Sequence, residues 1–423
     1  GGELPALLRG LVPSVRRRAT VGAAGVGVLR QRLAGLSDEA RAELILGAVR
    51  SYAAQVLGHE DAEAVDTNHG FLESGFDSLT ALELRNLLNA ATGLNLSTMA
   101  VLDSKNPAEL AQLIQAELAS LPAAVEDEVA VPASAAVQER REESLYDLFV
   151  GAINAGSTMK GMAMLQAVAQ LRPMFDSPAD LPGLPEPVRF KTRPERQDGV
   201  RRPRLICLST PTVAGGVHQH ARLAAMLAAP VTALPTPGFG RGEALPGSWD
   251  SAVQVLAEGV LKAAAGEPFV LYGFSSGGLL AHAVTAYLDR VSGVRPAGLV
   301  MADTYRIDSP INQAIFAAMA YAVEEKAMTM GQFSNAELSA MGRYAELLPQ
   351  FRPEHIGAPL LFIQARDLFS VNGRPALDGD SWQASWDAAD ALRVVPGTHF
   401  TIAEQDAATT AQAIDDWLAA LPA

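Results

Sequence analysis

The chain has one cysteine, Cys207, in 423 residues. That excludes an internal disulfide framework and fits a reducing cytoplasm. Long apolar runs are missing as well: none approaches the roughly 20 residues a membrane-spanning helix needs, and no secretory leader is visible. Basic residues are few, 33 Lys and Arg against 47 Asp and Glu, for a formal net charge of −14. This argues against nucleic acid as a partner, because phosphate binding needs clustered Lys and Arg. What is present is apolar: 49% of residues are hydrophobic and only 19% are charged, the composition of packed domains and not of a disordered scaffold. A chain this long exceeds one ordinary core, so two or three folding units are expected. It begins Gly1-Gly2 and not with Met, which points to a piece cut from something longer.

Residues 1–36 hold six arginines (Arg9, Arg16, Arg17, Arg18, Arg30, Arg32) among Gly, Ala and Leu, and read as a solvated linker or the edge of a preceding domain. Ser37-Asp38-Glu39 then makes a good helix start. Ile45, Val49, Tyr52 and Val56 follow at helical spacing. A loop runs from Gly58 to Gly75. A second helix opens at Asp77-Ser78 and carries Leu79, Leu82, Leu84, Leu87 and Leu88. After Gly93 comes a short irregular stretch, and Asn106-Pro107 starts a last helix to about Ala119. Residues 37–120 thus form a helical bundle with thirteen acids against four bases (Arg41, Arg50, Arg85, Lys105).

Residues 121–142, rich in Ala, Val and Pro, keep no period and read as a flexible tether. Leu145, Leu148, Phe149, Ala152 and Ile153 trace the face of a helix that closes near Gly156. The next helix, to Pro173, is apolar nearly all round (Met159, Met162, Met164, Leu165, Val168, Leu171), so the rest of the chain or a second copy must cover it. From Pro203 onward the short apolar runs Leu205–Leu208, Val231–Leu234, Phe269–Tyr272, Gly298–Ala302, Leu360–Ile363 and Leu392–Val395 alternate with helical segments. Such alternation predicts a parallel sheet with helices on both faces. The mostly helical interval from Tyr305 to about Pro353 interrupts it and reads as an insertion over the sheet's carboxyl edge, where ligands bind in such folds.

Two serines carry chemical signatures. Gly273-Phe274-Ser275-Ser276-Gly277 follows a strand run and opens a helix. The pentapeptide is common, but this placement is that of a nucleophile elbow, whose bend projects a serine hydroxyl and needs glycine on either side. A serine needs a base, itself oriented by an acid. His399, in Pro396-Gly-Thr-His-Phe400 just beyond the last strand, is the candidate base. His218, His220 and His282 are worse placed. Asp303, ending the strand Leu299–Asp303, and Asp367, after the next strand, both suit the acid, and spacing leaves the two open. The second signature is Gly75-Phe-Asp-Ser-Leu79. By itself it reads as a helix cap, with Thr80 and Glu83 able to form a capping box.

From about Leu145 the chain resembles the terminal thioesterase domains of modular polyketide synthases. The resemblance rests on the paired helices Glu143–Phe149 through Leu171-Arg-Pro173, on Leu205-Ile-Cys-Leu208, on the elbow, on Ala302-Asp-Thr-Tyr305 and on Gly397-Thr-His399. Residues 37–120 resemble the acyl carrier protein of the same synthases, whose attachment motif is Gly-Phe-Asp-Ser-Leu. The implied architecture is a four-helix-bundle carrier domain (37–120) followed by a thioesterase (143–423) with an α/β-hydrolase core (200–423) and a helical lid (306–353). The resemblance implies 4′-phosphopantetheine esterified to Ser78 by a phosphopantetheinyl transferase, and it selects Asp303 as the acid. It also implies homodimer pairing through residues 143–173, upstream polyketide synthase domains as partners, and a lid stripe of Ile311, Ile315, Met319 and Val323 facing a substrate channel. No metal is implied.

Three positions depart from the family. Phe274 stands where His is usual and Ser276 where Ala is usual. Pro211, in Ser209-Thr-Pro-Thr212, has no N–H to give an oxyanion, so Ser276 and Thr212 are the expected donors, with Thr210 behind. The tether has an r.m.s. span of roughly 25 Å and holds the carrier at roughly millimolar local concentration. A polyketide acyl chain carried on Ser78 and released through Ser275 is the expected function. Release gives a macrolactone if a hydroxyl of the same chain attacks, a linear acid if water does, and lactones are the commoner outcome in the family. The alternatives are a proofreading hydrolase of stalled chains and a catalytically silent docking module.

Overall fold

The computed structural model describes Leu29, Leu33, residues 36–120 (except 58, 60, 68, 77, 95 and 97), 144–192 (except 191), 202–309 (except 308), 333–371, 374–375 and 382–421. Four helices form the first unit: α1 (Asp38–Leu57), α2 (Ser78–Thr92), α3 (Thr98–Asp103) and α4 (Pro107–Ser120). The stretch expected to be irregular after Gly93 therefore contains a helix, α3. Its six residues are too few to display a period. Ile45, Val49 and Ala53 of α1, Leu84 and Leu88 of α2, Val101 of α3 and Leu110 and Ile114 of α4 are all buried. The loop before α2 packs through its own aromatics: Phe71 and Phe76 are buried and meet edge to face, ring centroids 5.2 Å apart.

The second unit opens with a helical hairpin, α5 (Leu145–Asn154) and α6 (Thr158–Ala169). Ser144 caps α5 by accepting from Asp147 N–H at 3.1 Å, and the Asp147 carboxylate accepts from Ser144 N–H at 3.0 Å. After β1 (Val188–Arg189) come β2 (Arg204–Leu208), α7 (Ala221–Met226), β3 (Val231–Leu234), α8 (Trp249–Ala264), β4 (Phe269–Phe274), α9 (Ser276–Tyr287) and β5 (Gly298–Ala302). The chain continues through α10 (Asn335–Leu347), β6 (Leu360–Ala365), β7 (Ala391–Val395) and α11 (Ala407–Ala420). The seven strands lie in the order β7-β6-β5-β4-β2-β3-β1, all parallel except β1, which pairs antiparallel with β3. The sheet thus starts before residue 200, with a two-residue edge strand that no periodicity could reveal.

Alternate strand residues feed two cores. Cys207, Val270, Tyr272, Val300 and Ile363 face α7 and α11, whereas Ile206, Leu271, Leu299, Met301 and Phe362 face α8 and α9. Burial on both faces is why these strands read as unbroken apolar runs. The hairpin α5–α6 packs on α10, with Phe149, Ile153, Met162 and Leu165 against Leu338 and Met341. The helices touch closely at Gly342, where a Cβ would lie 2.5 Å from the backbone carbon of Leu165. The chain itself therefore covers one face of α6. Leu148, Met159 and Leu171 stay exposed.

Arg172, just past α6, ties three segments. It donates to Ala336 O (2.8 Å) and Ser339 Oγ (3.0 Å) on α10, and to Gly238 O (2.8 Å) and Glu243 O (2.6 Å). The expected lid stripe Ile311, Ile315, Met319 and Val323 lies outside the described residues. Among the described residues no helix is long and apolar enough to cross a membrane.

Candidate active site

Two chain directions diverge in the sheet between β4 and β2, which places a crevice at their carboxyl ends. Ser275 sits there, between β4 and α9, at φ 53° and ψ −132°. Its N–H donates to Ala302 O of the neighbouring strand at 2.9 Å. The bend is held by crowding. A Cβ on Gly273 would strike the backbone of Gly277, 2.5 Å from its carbonyl carbon, and one on Gly277 would lie 2.8 Å from Leu208 O. Only glycine fits either position, which is the steric content of the pentapeptide. Three described non-glycine residues have positive φ: Ala265, Ser275 and Asp303 (φ 43°). Two of the three are candidate site residues, the kind of place where backbone strain accumulates.

His399 and Asp303 are 2% and 0% exposed, and their Nδ1 and Oδ2 atoms are 2.8 Å apart. The other carboxylate oxygen accepts from Ala365 N–H at 2.9 Å. With Asp303 accepting a hydrogen bond from Nδ1–H, Nε2 is left to accept a proton. Asp367 does something else. It pairs with Arg366 at 3.0 and 3.1 Å and accepts from Gly397 N–H at 2.8 Å, so it anchors the loop and not the ring. The Arg366 bonds and then the Gly397 N–H hold its carboxyl below the usual carboxylate range. Of the acids that spacing left open, the one on the imidazole is Asp303.

Among the described residues, four aromatic rings from separate segments surround His399, a grouping that no local pattern announces. Phe274 stacks on it (5.0 Å, 29°), Phe400 meets it edge to face (5.1 Å, 83°), and Tyr305 (5.5 Å) and Phe369 (6.5 Å) lie tilted. The available signal was slight: Phe274 and Phe400 merely adjoin Ser275 and His399 in sequence. Burial first, and the Asp303 charge second, push the Tyr305 phenol up, so it stays protonated. Among the described residues no hydrogen bond joins Ser275 Oγ to the imidazole; the elbow meets it through Phe274. Serine–histidine contacts of this type are commonly long until substrate is in place.

The expected oxyanion donors divide. Ser276 opens α9, so its N–H has no partner inside the helix. Thr212 does not serve as expected: its N–H donates to Thr210 O at 2.8 Å, folded back across Pro211. Thr210 N–H has no acceptor among the described residues, and Thr210 N would lie 3.2 Å from a Cβ at Gly277, beside the helix start. The geometry therefore exchanges the order of the two threonines. Two further histidines have other surroundings. His220 Nε2 lies 3.3 Å from Ser209 Oγ and is pushed down to about 3 by burial; His282, inside α9, is pushed down to about 4 by burial. On the carrier, Ser78 is the first residue of α2, where the free N–H groups of a first turn favour an attached phosphate. Asp77 lies outside the described residues.

A doubly wound parallel sheet with a strained serine at its central bend, preceded by a small helical bundle, is a carrier joined to an α/β-hydrolase. Residues 203–418 match the Thioesterase domain family and residues 47–114 match the phosphopantetheine attachment site family, so the chain belongs to the thioesterase-domain family and bears a 4′-phosphopantetheine carrier ahead of it. It is 36% identical over 432 residues to polyketide synthase GfsE of Streptomyces halstedii (98% of this chain, 11% of the relative). It is 33% identical over 395 residues to the spectinabilin polyketide synthase system protein NorC of Streptomyces orinoci (92% and 16%). It is 32% identical over 401 residues to erythronolide synthase EryA3 of Saccharopolyspora erythraea (93% and 12%). The chain spans 11–16% of the length of these three relatives.

Proposed function

We propose that the chain holds a polyketide acyl group as a thioester on the arm of Ser78 and releases it through an ester on Ser275. The observation that carries this reading is the buried Asp303–His399 pair, 2.8 Å apart, packed against the residue next to a strained serine. The prosthetic group supplies a thiol on a long flexible arm. Ser275 Oγ attacks the acyl carbonyl while His399 Nε2 takes its proton, and Asp303 stabilises the imidazolium. Ser276 N–H and Thr210 N–H offer hydrogen bonds to the oxyanion. As the carbon–sulfur bond breaks, His399 returns the proton to the departing sulfur. A second nucleophile is then deprotonated by His399 and takes the acyl group from Ser275. A hydroxyl of the same chain gives a macrolactone, the outcome we favour; water gives the acid.

A fluorophosphonate probe should label Ser275 in the native chain and leave Ser275→Ala unlabelled. A native chain that resists the probe while folded is a docking module and not an enzyme. Presenting a hydroxylated full-length acyl thioester and identifying the product by mass decides between lactone and acid. The exposed Leu148, Met159 and Leu171 of the leading hairpin support pairing with a second copy. Sedimentation of a chain with all three changed to Gln should give the monomer; an unchanged mass rejects that pairing.

A further inference from the structure

Asp303 fixes the His399 ring through a single hydrogen bond at Nδ1. One such bond leaves the imidazole free to swing about its axis, and Nε2 must be aimed before it can take a proton. A second constraint, on the face of the ring, is needed. Of the four aromatic rings around His399 only Phe274 lies face to face with it, at 5.0 Å and 29°; the others stand at 48° to 83°.

Phe274 is itself held from both sides. It ends β4, paired in register with Ala302, the residue before Asp303. Its carbonyl accepts a hydrogen bond from Thr210 Oγ1 at 3.1 Å, so the loop that offers Thr210 N–H is tied to the same residue. The elbow, the acid's strand and the oxyanion loop thus meet at Phe274.

We infer that Phe274 is a positioning residue for release: its ring sets the plane of the His399 imidazole and stabilises the cation that forms when Ser275 gives up its proton. The inference rests on the serine-ester reading above. An aromatic face within about 6 Å of a cation attracts it, most strongly where water is excluded. Among the described residues, titratable groups facing the imidazole are few. Asp303 and Tyr305 come from the turn after β5, and Phe369 and Phe400 from the other two segments carry no charge. Asp367 lies on the loop, at Gly397, engaged with Arg366.

The test compares Phe274→Leu, which keeps the bulk and the dryness but removes the face, with Phe274→Tyr, which keeps the face. Hydrolysis of hexanoyl N-acetylcysteamine thioester is followed from about pH 5 to pH 9. Phe274→Leu should lower kcat/KM about tenfold, mainly through kcat, and move the acidic limb of the profile down by about half a pH unit. Phe274→Tyr should return the limb to its native position and recover most of the rate. If the limb stays put in Phe274→Leu, or if Phe274→Tyr loses as much as Phe274→Leu, the ring is only a wall and the inference falls. Should Phe274→Leu fail to melt cooperatively, Phe274→Met carries the same expectation. Labelling of Ser275 in the native chain, run alongside, separates this failure from that of the serine reading, which fails only if the native chain is unlabelled.

Discussion

The two serines of this chain stand in opposite surroundings. Ser275 occupies a bend at φ 53°, with glycines that no side chain can replace and a strand carbonyl gripping its N–H. Ser78 begins an ordinary helix, after a loop in which Phe71 and Phe76 pack edge to face. On the function proposed above, the difference follows from what each must do. A nucleophile has to hold its hydroxyl against a base and two N–H donors to within a fraction of an ångström, so its backbone is strained and its neighbours crowded. A serine modified by a separate enzyme needs only to be reachable at a helix start. On the function proposed above, strain marks the serine that performs chemistry and not the one that receives it.

That comparison breaks first at the serines themselves. Ser275→Ala should abolish acyl-thioester turnover and leave loading intact, whereas Ser78→Ala should lose the mass of one phosphopantetheine and still cleave a free thioester. Intact mass spectrometry and a thiol-release assay check both, and any crossover between the two phenotypes dissolves the division of labour. Next come the acids. Asp303→Ala should cut kcat by about 10⁴, because the imidazolium loses its buried partner. Asp367→Ala, which removes only a loop anchor, should cost less than about tenfold; the reverse ranking moves the orienting role to Asp367.

Glycines sharpen the contrast in stability. Gly273→Ala drives a methyl into the backbone of Gly277 and should cost several kcal/mol. Gly47→Ala, inside α1 with nothing within 4 Å, should stabilise the carrier by about 0.5–1 kcal/mol. Denaturant melts of the two variants decide it, and equal effects would mean the elbow is not crowded. The smallest effect concerns pH. Asp367 is held below its unfolded value of about 3.9, so the stability it adds is present above that value and fades as pH falls through the lower folded one. The melting temperatures of the native chain and Asp367→Asn should therefore differ at pH 7 and converge in acid. A gap that persists at the lowest pH refutes the linkage.

Much of this was legible in one dimension. The six apolar runs coincide with six of the seven strands of the sheet; five are buried on both faces, which leaves no polar alternation to confuse them, whereas β7 is an edge strand with Leu392 and Val394 exposed. The elbow was readable because its glycines are demanded by steric contact within five residues. The helix α3 and the edge strand β1 were missed because six and two residues carry too little pattern. Pro211 removes one N–H from this loop, but sequence cannot tell that the Thr212 N–H is turned back on Thr210 O.

By itself the sequence determined two units, a sheet with helices on both faces, and a serine at a forced bend, all products of local sterics and hydrophobic period. Spacing left Asp303 and Asp367 open as partners of His399 and only the family resemblance selected Asp303; the physical reason lies in the tertiary structure, where the path of the loops brings Asp303 to Nδ1 and Asp367 to Gly397. Tertiary structure alone assembled four aromatic rings around that histidine from segments up to 126 residues apart in number, Phe274 and Phe400 among them. Contacts between distant segments depend on how whole elements pack, and no local pattern encodes that.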